Sequence, residues 1–103
     1  MATQTEIRQL FSKARRVLKH PGLDLLIAPT LELKGKLIVV TPGRIGNAVE
    51  RNTVRRRIKA IFDQEHLRSK GYDAIVFVKK DGVKLTYEQL KQLILSSLQQ
   101  KIN

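Results

Sequence analysis

With 103 residues, no cysteine and a formal net charge of +11, the chain is sized for one domain with one modest core. The lack of cysteine excludes disulfide frameworks, cysteine-ligated zinc and thiol nucleophiles, and it fits a reducing cytosol. Lys+Arg 20 against Asp+Glu 9 points to a polyanionic partner. No apolar run is long enough to span a bilayer, and Met1 to Glu6 lack the basic and apolar regions of a secretory signal, so a cytoplasmic protein is expected.

In chain order, Ile7, Leu10, Phe11, Ala14, Val17 and Leu18 recur as one helical stripe. Thr3 and Glu6 form a capping box at its start, and Pro21-Gly22 ends it. Residues 23–28 and 36–41 read as strands separated by Pro29 and a turn at Gly35, the second apolar enough to be covered on both faces. From 47 to 66 the helical period returns, with Val54, Ile58, Ile61 and Phe62 on one face and Gly71 beyond the end. Residues 72–78 read as a third strand, and 79–82 turn the chain. Thr86 and Gln89 then cap a closing helix carrying Leu90, Leu93, Ile94, Leu98 and Ile102. The expected architecture is one α/β domain over 1–103, an α-β-β-α-β-α sandwich with helices packed on a small sheet around a β-α-β crossover.

Charge is unevenly placed: residues 1–20 carry +4, 21–43 carry 0, 44–59 carry +5 and 60–103 carry +2. On a helical wheel Arg51, Asn52, Arg55, Arg56 and Lys59 lie within about 140° of one another, beside the apolar face. Guanidinium forks on such a helix suit bidentate phosphate contacts. A solvated helix face mixes both signs, whereas Glu50 is the only acid from Arg44 to Lys59. The helix start at Gly46 and Asn47 is expected to offer backbone N–H groups to a phosphate. No histidine pair, recurring carboxylate spacing or Walker-type loop supports a hydrolytic or nucleotide-binding centre: His20 and His66 read as surface or loop residues. Phe62 and Phe77 are expected in the core, with Tyr72 and Tyr87 at its margins.

The segment Ile45-Gly46-Asn47-Ala48-Val49-Glu50-Arg51-Asn52-Thr53-Val54-Arg55-Arg56 resembles the signature of the bacterial ribonuclease P protein subunit. That signature is Gly-Asn-Ala-Val, any residue, Arg-Asn-Arg, any residue, Lys-Arg, and a further Arg three positions on. Gly46 to Val49, Arg51, Asn52 and Arg56 match, Arg55 and Lys59 are basic for basic, and Thr53 departs where the second Arg stands. Arg57 points to another side of the helix and is no substitute. Residues 72–77 and 85–88 are similar to the family's last strand and the start of its last helix, so the likeness covers most of 36–103.

The resemblance implies a division of labour. A catalytic RNA cleaves precursor tRNA with Mg²⁺, and the protein, inactive alone, binds that RNA through Arg44, Gly46, Asn47, Arg51, Asn52, Arg55, Arg56 and Lys59. A cleft between the first helix and the sheet holds the substrate's 5′ leader, with Phe11 stacking on a base and Arg15 or Arg16 holding phosphates; core packing is the competing reading of Phe11. A left-handed crossover, against the general rule, is also implied, as is a protein that is monomeric outside the holoenzyme. The alternative is a structural RNA-binding protein of the ribosome. A DNA-binding recognition helix would need a preceding helix across a short turn, where a β-like run stands instead.

Overall fold

The computed structural model describes Thr5, Arg8 and residues 12–102, apart from the side chains of 100–102. Four strands form one sheet in the order β1-β2-β4-β3, where β1 is Arg15–Lys19, β2 Leu23–Pro29, β3 Leu37–Val40 and β4 Tyr72–Val78. Helix α1, Ala48–Gln64, joins β3 to the parallel strand β4, and helix α2, Tyr87–Ile102, closes the chain. The α/β class is as the sequence predicts, and β3 and β4 lie side by side in parallel, as a β-α-β unit requires.

The first expected helix requires a correction. Thr5, Arg8, Ser12 and Lys13 are helical, while Thr3, Glu6, Ile7, Leu10 and Phe11 lie outside the described residues. From Arg15 the chain is strand, paired antiparallel to β2, with a register shift between Arg16 and Leu18. Pro21-Gly22, read as a helix stop, instead closes a hairpin with His20: His20 N–H donates to Leu23 O at 3.1 Å, and His20 Nδ1 accepts from Gly22 N at 2.9 Å. Pairing with β2 satisfies the backbone and also gives Val17 and Leu18 apolar cover, so the stripe alone did not distinguish helix from strand.

A second correction concerns β3. Its continuous apolar run predicted burial on both faces, yet it is an edge strand and all four residues are half-buried. The doubly covered strands are β2 and β4. Leu23, Leu25 and Ile27 of β2 and Tyr72, Ala74, Val76 and Val78 of β4 face the helices. There they meet Val54, Ile58, Ile61 and Phe62 of α1 and Leu90, Ile94 and Leu98 of α2, all at most 2% exposed. The alternate residues Leu26, Ala28 and Ile75 are also buried, on the opposite face and outside that core. Phe77 is half-buried among those alternates, and Tyr72, expected at the margin, is inside the core at 6% exposure.

Local chemistry fixes the ends of the elements. Thr86 and Gln89 form the expected reciprocal cap before α2, with bonds of 2.9 and 3.2 Å. The turn at 80–84 presses on the β1–β2 hairpin: Lys79 N–H donates to Gly22 O at 2.9 Å, and a Cβ on Gly82 would stand 2.2 Å from that same oxygen. Only glycine allows this approach.

Candidate nucleic-acid interface

Helix α1 is held against the sheet by its apolar face and anchored at its start by Ile45, 7% exposed in the short turn Gly43–Ile45. Asn47 is its N-cap. Asn47 Oδ1 accepts from Glu50 N at 2.8 Å, and Glu50 Oε1 accepts from Asn47 N at 3.0 Å. A Cβ on Gly46 would lie 2.9 Å from Glu50 Oε1, so Gly46 leaves room for that carboxylate. The expectation of a free N–H at Asn47 for an incoming phosphate is therefore corrected. Glu50 already occupies it, and the helix start is capped by the chain's own anion.

The cations beyond the cap are arranged differently from one another. Arg55 is half-buried and braced, donating to Asn52 Oδ1 at 2.8 Å and to Thr41 Oγ1 at the end of β3. Arg51 is half-buried, with its Nε shielded from solvent and without a hydrogen-bond partner. Arg44, Arg56 and Lys59 are exposed. Among the described residues the ion pairs are Arg16–Asp24, Lys79–Asp24 and Lys91–Glu65, so no cation of the signature is neutralised by a carboxylate. Five like charges left unpaired on one side make a site for an anion with several negative groups.

Two neighbouring positions show what the signature leaves out. Thr53, where the family pattern has arginine, turns its hydroxyl back to donate to Val49 O at 2.8 Å and extends nothing outward. Arg57 donates to Leu85 O at 2.9 Å, tying α1 to the segment before α2, on another side as the wheel predicts.

Phe11 lies outside the described residues. Arg15 and Arg16 are both exposed, but strand alternation sends them to opposite faces. Arg15 pairs with Ile27 and lines a depression of about 330 Å³ with Lys13, Pro29 and Tyr72. Arg16 pairs with Leu26 on the face turned away from the helices and lies 4.0 Å from Asp24. The sequence reading missed Asp24 and Lys79, although a lone carboxylate inside Leu23-Asp24-Leu25-Leu26 is the kind of interruption that signals a buried ion pair.

Among the described residues there is no group of three or more histidine or carboxylate side chains suited to a metal, and no helix is long and apolar enough to cross a membrane. Fold and charge together define a small basic α/β protein built to meet RNA-like polyanions. The family model of ribonuclease P matches residues 1–102. The ribonuclease P protein component of Herpetosiphon aurantiacus is 32% identical over 89 residues, covering 82% of this chain and 70% of that one. That of Finegoldia magna is 38% identical over 53 residues, covering 50% and 47%. The ribonuclease P proteins of Staphylococcus aureus and Thermotoga maritima superpose with TM-scores of 0.82 and 0.81, each at 18% identity. These superpositions cover 98% and 97% of this chain, and 93% and 94% of theirs, so the fold is shared. The chain belongs to the ribonuclease P protein family, the protein subunit of a ribonucleoprotein endonuclease that matures tRNA. The ribosomal alternative has no support.

Proposed function

We propose that α1 seats on the catalytic RNA of ribonuclease P, while the sheet face bearing Arg16 holds the 5′ leader of precursor tRNA during endonucleolytic 5′ maturation. The observation that carries this is the unpaired cation set Arg44, Arg51, Arg55, Arg56 and Lys59, on and just before a helix whose sole early acid is engaged in its own cap. Asn52 acts through Arg55, orienting its guanidinium, and Gly46 and Asn47 shape the helix start rather than touching phosphate through the Asn47 N–H.

Among the described residues no three histidine or carboxylate side chains converge. Mg²⁺ is assigned to the RNA subunit, which carries the hydrolysis. The protein contributes affinity: it neutralises phosphates where two polyanions meet, and it distinguishes precursor from mature tRNA by a segment that cleavage removes. It acts in the cytoplasm and is monomeric outside the holoenzyme.

Cleavage assayed with protein, RNA and both, alongside binding of tRNA with leaders of graded length, tests this reading. The expected result is no cleavage by protein alone and tighter binding as the leader lengthens. Cleavage by the purified protein, or equal affinity with and without a leader, refutes it.

A further inference from the structure

The sheet face turned away from the helices carries a charged cluster that the signature helix does not account for. Asp24 lies in β2 within an apolar run and is 9% exposed, the one buried carboxylate among the described residues. Its Oδ1 is 2.8 Å from Lys79 Nζ, and its Oδ2 is 4.0 Å from Arg16 Nε. Arg16 comes from β1 and Lys79 from the residue following β4, the two strands that flank β2. One central carboxylate thus draws a cation from each side. The cations themselves stay accessible, with side chains 50% and 36% exposed.

Burying a carboxylate is costly, and an apolar residue in its place packs at least as well, so stability alone is a poor explanation for Asp24. Its effect on the two cations is a better one. Free arginine and lysine side chains lose rotamer freedom when they bind a phosphate, and a side chain already anchored loses less. The trio also remains net positive, so anchoring does not cancel attraction for an anion. We infer that Asp24 is a positioning residue that holds Arg16 and Lys79 as a pair of preset phosphate contacts for the leader, with Lys79 a specificity-determining residue for precursor over mature tRNA. This rests on the leader running over that face.

The test uses the holoenzyme reconstituted with its catalytic RNA, and the affinity of precursor tRNA with and without a leader. D24N is expected to lower the preference for the leader-bearing form by about tenfold, the effect of one charge-assisted contact, without tightening the leaderless form. D24E should recover part of the preference. D81N adds the same unit of charge at an exposed acid outside the ion pairs and should leave the preference unchanged. If D24N instead tightens both RNAs as a simple gain of charge, or leaves the preference intact, the inference is overturned. Should D24N fail to fold, K79M at the closer partner decides: it should lower the preference in the same way, and an unchanged preference overturns the inference. A wild-type holoenzyme without leader preference would refute the proposed function itself. Preference kept by wild type, D24N and K79M alike refutes only the role of Asp24.

Discussion

Replacing Arg55 and Arg56 together by alanine removes one braced and one free guanidinium from α1. If each holds a phosphate, the slope of log affinity against log salt falls by about 0.9 per contact, about 1.8 in all. Over a fourfold rise in salt the wild type then loses about 12-fold more affinity for the catalytic RNA than the variant does. The two residues differ in what they do for folding. Arg55 donates to Asn52 and Thr41, so its loss costs about 1 to 2 kcal/mol, on the order of 10 °C in Tm for a chain of this size. Arg56 is exposed, and R56A should stay within about 0.5 kcal/mol of wild type. Binding titrations from low to high salt, with a thermal melt of each variant, measure both quantities. A double variant that is folded at the assay temperature yet keeps the wild-type salt slope would show that this face is merely solvated.

Three further outcomes follow from individual contacts. R57A removes the bond to Leu85 O and should cost about 1 to 2 kcal/mol in urea unfolding while leaving the salt slope unchanged, because that guanidinium is turned away from the RNA-facing set. N47A breaks the reciprocal cap and should destabilise the protein by about 1 kcal/mol, with helix loss seen by circular dichroism; an unchanged melt would contradict the cap as drawn. Tyr72 has a buried hydroxyl without a partner, and burial pushes its phenol up to about 12, above the usual 10.0. The unfolded chain therefore ionises first: the contribution is intact below pH 10 and is lost as pH rises toward 12. Y72F should match or exceed wild-type stability at neutral pH and lose less of it as pH rises from 10 toward 12, as paired urea melts would show.

The helices after residue 47 were legible because their apolar spacing is unambiguous: Val54, Ile58, Ile61 and Phe62 all reach the core. The signature cations were equally legible, since a run of arginines beside an apolar face has one geometry on a helix. Two features were not, and a third was legible but overlooked. Val17 and Leu18 satisfy a helical stripe and a strand equally, and only their pairing with β2 settles which forms. The edge position of β3 depends on strand order, which local apolar content does not encode. The occupation of the Asn47 N–H by Glu50 was visible in the spacing of an Asn followed three residues later by Glu, a cap signal overshadowed by the surrounding charge.

Strand β1 forms one border of the sheet, with neighbours on one side only. An even, apolar border is a template on which another copy can lay a strand and begin a fibre. Here the ladder slips between Arg16 and Leu18, and Arg15, Arg16 and Lys19 crowd the same five residues. A second molecule approaching this border meets interrupted pairing and a row of like charges. The irregularity that hid β1 from the periodicity of the sequence thus also guards the chain against strand-by-strand self-association.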